Sequence, residues 1–155
     1  MEILAYELLG RLSPDRPVDL LADYALPWCR EFALLVLQPP AGQGELCASL
    51  SAEVFAATGA PDDSPLRPRA AAATAELERI LKDGPMPMGE PTFVAIAQTT
   101  PRLLASIWAA LLDCPNEAAR LRDEPSLWPG AVEELLRDCV GQVVAIQVRL
   151  GCGHQ

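Results

Sequence analysis

Three consecutive polar residues, Gln98, Thr99 and Thr100, interrupt a mostly apolar run from Phe93 to Leu112 and stand immediately before Pro101. An amide and two hydroxyls can orient a carbonyl or hydroxyl group by hydrogen bonding, but none of them is a proton-transfer base near neutral pH. Reactions that need only orientation could use such a set, because positioning alone removes much of a barrier. Each side chain also has a structural use. A Thr inside a helix commonly bonds the carbonyl one turn back, and a Gln can simply face solvent. Beside a proline kink, Thr99 and Thr100 can equally face a cavity.

The other chemistry-bearing types are sparse. His154 is the sole His and lies at the end of the sequence, so a Cys/His couple has little material. Cys29, Cys47, Cys114, Cys139 and Cys152 are odd in number and scattered, with no C-x-x-C pair to suggest zinc. Reduced thiols buried as small hydrophobes are the expectation. Asp123, Glu124, Glu133 and Glu134 read as a solvated acidic face rather than a metal site. Glu134 and Arg137, three residues apart, have the spacing of a helix-surface ion pair. Trp28, Trp108 and Trp128 are read as packing residues.

These groups need elements to hold them. Phe93, Ile96, Leu103 and Ile107 make a helical stripe, which usually faces a core. The helix predicted over Pro91 to Leu112 contains Pro101, which has no N–H for the carbonyl of Ala97, so a kink is expected at Ala97 to Pro101. Apolar spacing predicts further helices over Glu2 to Leu12, Asp19 to Ala25, Leu26 to Leu37, Glu45 to Thr58, Pro68 to Lys82, Cys114 to Arg122 and Trp128 to Asp138, with a bend near Pro27. The face expected on Glu45 to Thr58 is Leu46, Leu50, Val54 and Phe55. "QPPAGQG", "GAPDDSPLRP" and "DGPMPMGEP" are connectors, because Pro and Gly break regular structure. Gln142 to Leu150 is β-branched and reads as one C-terminal strand. A lone strand needs pairing from elsewhere.

The totals narrow the partners. A chain of 155 residues with half its residues apolar suits one domain, 1–155, with a real core. A net charge of −9 argues against nucleic acid and anionic membrane surfaces. The longest apolar run, Leu103 to Leu112, is too short to span a bilayer, and the start lacks a secretory leader. The expected location is cytoplasmic.

Several segments in order resemble one family, the bacterial heme-thiolate monooxygenases, or cytochromes P-450. "RPVDLLADYALPWCREFALLVL" resembles a family stretch in which Asp-Leu-Val-Ala-Asp precedes a Leu-Pro turn and a helix. "AIAQTTPRLLASIWAALLDCPNEAARLRDEPSLWPGAVEELLRD" resembles the central helix and the two helices after it. The resemblance implies that Glu134 and Arg137 are the structural Glu-x-x-Arg pair. It also implies that Ala95 to Thr99 stand where the family has Ala-Gly-x-x-Thr, the opening of the helix beside the iron. The Gly position is Ile96 and the acid position is Gln98, which cannot relay a proton. The family's axial Cys sits in Phe-x-x-Gly-x-x-x-Cys-x-Gly. Aligned on Cys152, the Phe position is Ala145, the first Gly is Val148 and the last is His154. The expectation is therefore no heme and no other cofactor.

The fold expected is mainly α, a reduced, truncated helical half of the cytochrome P-450 fold with one C-terminal strand. The implied function is a heme-free auxiliary or small-molecule-binding protein of bacterial natural-product biosynthesis, supporting a partner enzyme such as a glycosyltransferase. The alternative is a heme-independent cyclase or isomerase acting on a polyketide-like substrate. Phe93, Ile96, Gln98, Thr99, Thr100, Leu103 and Ile107 are the candidate substrate contacts. A homodimer, or a complex with a biosynthetic partner protein, is expected to cover the faces that a reduced scaffold exposes.

Overall fold

The computed structural model describes residues 2–12, 15, 17–86 and 88–137, which are mainly α-helical and contain no strand. Helices run over Glu2–Gly10 (α1), Leu26–Leu37 (α2), Gly44–Ala56 (α3), Leu66–Leu81 (α4), Gly89–Val94 (α5), Thr100–Asp113 (α6) and Pro115–Asp123 (α7). A short 3-10 turn, Pro125–Leu127, precedes helical backbone over 128–137. The strand expected at Gln142 to Leu150 lies outside the described residues. None of the described helices is long and apolar enough to cross a membrane.

Two π-helical segments, Leu21–Ala25 and Ala95–Thr99, join directly onto α2 and α6. They share one cause. Leu26 donates its N–H to the carbonyl of Leu21, and Thr100 donates to Ala95, each five residues back. The next residue is a proline in both cases, Pro27 and Pro101. A proline ring crowds the carbonyl four residues before it and offers no N–H. Widening the preceding turn relieves that crowding and keeps the helix continuous. The bend near Pro27 and the kink at Ala97 to Pro101 thus take the form of π turns. Thr100 adds to the second one by donating its Oγ1–H to the Ala95 carbonyl at 3.0 Å. Asp19 caps the first, its Oδ1 accepting from the N–H groups of Leu21 and Ala22, both at 3.0 Å.

The chain divides into two compact units, Met1–Pro101 and Arg102–Gln155. In the first, α3 packs on α4, and α2 packs on the second π segment. The core is Ala33 and Leu37 from α2, Cys47 from α3, Leu77, Ile80 and Leu81 from α4, and Phe93 and Ala97. Full burial of a side chain such as Phe93 contributes roughly 2–3 kcal/mol. Gly89 permits α5 to start against the end of α4, since a Cβ there would come within 2.8 Å of Leu81 Cβ.

The buried face of α3 differs from the expected one. Cys47 and Ser51 are buried, whereas Leu46 is exposed and Leu50, Val54 and Phe55 are half-buried. Small side chains at this i, i+4 pair let α3 sit close to its neighbours, and the larger Leu side chains flank the contact. On α1 only Leu8 is buried, and Ile3, Tyr6 and Leu9 are exposed. In the second unit Leu121 is buried, while Leu112, Trp128 and Val132 are exposed.

Candidate functional site

The second π segment turns Gln98 inward. Its side chain is 8% exposed, and Nε2 donates to Ser51 Oγ at 3.0 Å. Ser51 is fully buried, and its own hydroxyl donates to the Ala48 carbonyl at 2.8 Å. This relay fastens the widened turn to α3. Breaking it would leave a buried polar group unsatisfied, at about 1–3 kcal/mol.

Gln98 and Ala97 also line a cavity of about 320 Å³. Ala22 of the first π segment stands on it as well, with Leu26, Pro27, Arg30 and Glu31 of α2 and Ala48 of α3. Both π segments therefore border one space. Its polar groups are Gln98, Arg30 and Glu31. The guanidinium of Arg30 bonds the Glu45 carboxylate through one terminal nitrogen, and its Nε lies 3.7 Å from Glu31 Oε1. Arg30 Nε is shut off from solvent and makes no hydrogen bond. Two other cavities of similar size, about 290 and 310 Å³, border Arg79, Asp83 and Gly84, and Glu78, Met88 and Glu90. Burial, followed by the neighbouring charge of Glu78, raises the Glu90 carboxyl above its ordinary range.

The seven residues singled out in the sequence occupy different settings. Gln98 lines the cavity between the π segments. Phe93 is fully buried within the core, and Ile96 is half-buried and packs against that core. Thr99 is exposed, and Thr100 is half-buried with its hydroxyl bonded one turn back. Leu103 and Ile107 are half-buried members of α6. Glu134 and Arg137 form a hydrogen-bonded pair whose side chains are 62% and 67% exposed. Sequence reasoning missed Ala22, Arg30, Glu31 and Ser51. A Pro two residues beyond each π segment was the available signal for the first three.

The thiols decide whether the described residues suit a heme-thiolate. Cys29 and Cys47 are fully buried. Burial pushes the Cys29 thiol up to about 11, and raises Cys47 too, with a backbone hydrogen bond opposing it in part. An axial ligand must present its sulfur to the iron, and neither of these thiols has surface open to one. Cys114 is exposed. Among the described residues no three His, Cys, Asp or Glu side chains cluster as metal ligands. At Ile96 a branched side chain stands where the resembling family has Gly. The two buried thiols, Cys29 and Cys47, do not fit the group. Cys139 and Cys152 lie outside the described residues.

Comparison with known proteins points the same way as the motifs. A stretch of 59 residues, 38% of the chain, is 42% identical to a protein described as cytochrome P-450 140 in Mycobacterium bovis and in Mycobacterium tuberculosis, and covers 13% of that protein. A longer match to cytochrome P-450-SU2 of Streptomyces griseolus is 30% identical over 160 aligned positions, covering 86% of the chain and 38% of that protein. The chain thus spans less than two-fifths of the length of these curated relatives. No family profile and no solved structure matches. The chain is related in sequence, over part of their length, to cytochromes P-450.

Proposed function

We propose that this P-450-related chain is a heme-free, cytoplasmic module that holds a small organic molecule and supports a partner enzyme in a bacterial biosynthetic pathway. The observation that carries the reading is the second π segment. The resembling family places Ala-Gly-x-x-Thr at the opening of a helix beside a thiolate-bound iron. Here the helix is opened at the corresponding residues, but Gln98 is fastened to Ser51 and faces a cavity instead. Neither Gln98 nor Ile96 supplies what oxygen chemistry asks of those positions. Burial raises the thiols of Cys29 and Cys47 above their ordinary range.

The apolar side chains left on the surface support a partner. Ile3 is 75% exposed and Tyr6 67% on α1, and Leu112 is 73% exposed on α6. Such side chains are favourably covered by another protein or a second copy. Light scattering after size exclusion tests this directly: a homodimer or a stable complex is expected, and a monomer at micromolar concentration with no retained partner removes it.

The auxiliary reading is tested by incubating the purified chain alone with a polyketide-derived pathway intermediate. Retention of unchanged compound is expected. Turnover without a partner would instead establish a heme-independent cyclase or isomerase working by orientation.

A further inference from the structure

The junction of α4 and α5 brings two carboxylates to one groove. Glu78 on α4 and Glu90 on α5 both border the cavity of about 310 Å³, and Leu81, Met86 and Met88 supply apolar wall. We infer that this groove docks the partner protein, and that the segment it takes is both basic and apolar: an Arg or Lys side chain lies at Glu78 and Glu90, and aliphatic neighbours lie against the methionines. This rests on the partner role proposed above and adds the surface and the chemistry of what covers it.

Close packing makes the two charges neighbours. Gly89 lets α5 begin against the end of α4, since a Cβ there would lie 2.8 Å from Leu81 Cβ. Glu90 follows at once, and burial together with the Glu78 charge raises its carboxyl above the ordinary range. Neither carboxylate forms an ion pair among the described residues. Lys82 borders the same groove without pairing with either, so the three side chains carry one net negative charge. Arg79, also on α4, differs: its guanidinium is held by both oxygens of Glu76, at 2.8 and 2.7 Å. A cation arriving at the groove offsets a repulsion that the described residues leave standing.

The two methionines supply the apolar half. Met86 is 39% exposed and Met88 75%. Met88 also holds a left-handed backbone, φ 57°, in which a side chain of that size is disfavoured. Exposed as it is, its side chain returns little burial to the fold. Unbranched, polarisable Met side chains repack around varied apolar surfaces and are over-used where one protein binds another. Carboxylates beside Met favour a cation carried among aliphatic groups, which is the chemistry of a basic peptide segment. The net charge of the chain, −9, steers the same kind of partner.

The test is a methyl NMR titration of the full chain at physiological salt, read at the ε-methyl groups of Met86 and Met88. The probes are a short peptide alternating leucine and arginine, the same peptide with citrulline for arginine, and hexylamine. Saturable shifts at both methyls are expected with the arginine peptide, and the citrulline peptide and hexylamine should each bind at least about tenfold more weakly. Glu78→Gln and Glu90→Gln should each weaken the arginine peptide by about threefold or more with the far-ultraviolet circular dichroism unchanged. Glu117→Gln, which removes the same charge on α7, should leave its affinity unaltered. Equal affinity for the citrulline peptide, or equal weakening by all three substitutions, would overturn the inference, because binding would then follow hydrophobicity or overall charge. Hexylamine binding as tightly as the arginine peptide would overturn it in favour of a small amine ligand. Shifts confined to residues outside the groove, or none at all, would also overturn it, while leaving the partner role to the light-scattering result.

Discussion

The two units of this chain carry opposite kinds of information. In Met1–Pro101, helices α2, α3 and α4 and the second π segment bury a contiguous core. In Arg102–Gln155 the described residues include one buried apolar side chain, Leu121, while Leu112, Trp128 and Val132 are exposed. Yet most of the longer stretch that resembles a known family, Ala95 to Asp138, lies in the second. A recognisable motif records ancestry, whereas burial records what holds the present structure together.

Mutations can break that contrast. The largest effect belongs to Phe93→Ala, which empties a fully buried site and should cost about 3–5 kcal/mol in urea unfolding. Ile107→Ala, on a half-buried position of α6, should cost about 1 kcal/mol. Equal costs at the two sites would show that the second unit is as tightly packed as the first.

Next is the relay that fastens the opened helix. Ser51→Ala and Gln98→Ala should each destabilise by about 1–2 kcal/mol. Their double-mutant cycle should give a coupling of about 1 kcal/mol, because each removes the other's partner. Additive effects would mean that the hydrogen bond contributes nothing to stability.

A smaller and pH-dependent effect comes from Cys29. Its thiol ionises at about 11 in the folded chain against an ordinary 9.0. The folded state therefore holds its proton longer, so the associated stability is complete below pH 9 and is lost between pH 9 and pH 11. Cys29→Ala should lose less stability over that interval than the parent chain. Peptide mapping after thiol alkylation at pH 8 should label Cys114 quickly and Cys29 only in denaturant. Rapid labelling of Cys29 in the folded state would contradict its burial.

The smallest effect should be at the motif itself. Glu134→Gln should leave the urea midpoint unchanged within error, since an exposed i, i+3 pair is screened by water and salt. A large loss would mean that the pair braces structure beyond what its exposure implies.

Much of the helical outline was legible because apolar spacing and Pro- and Gly-rich connectors bound each segment. Pro68 to Lys82 was legible as a helix, and its Leu77, Ile80 and Leu81 are buried as the inner face of α4. The inner face of α3 was not, because the periodic Leu residues suggest one stripe while small Cys47 and Ser51 occupy the contact. Proline marked a bend before α2 and within the central helix, but sequence period alone does not distinguish a break from a widened turn. The Ser51–Gln98 bond joins residues 47 apart, a separation at which no local pattern speaks. Arg30 carried no sequence signal, because its setting depends on how α2 meets its neighbours.

Optical spectroscopy of the purified chain after reconstitution with hemin tests the central claim most directly. On the heme-free reading proposed above, no stoichiometric heme with a sulfur-ligated spectrum should be retained after gel filtration. An intense Soret band at one heme per chain, lost when a single cysteine is changed to serine, would contradict the account and return the protein to oxygen chemistry.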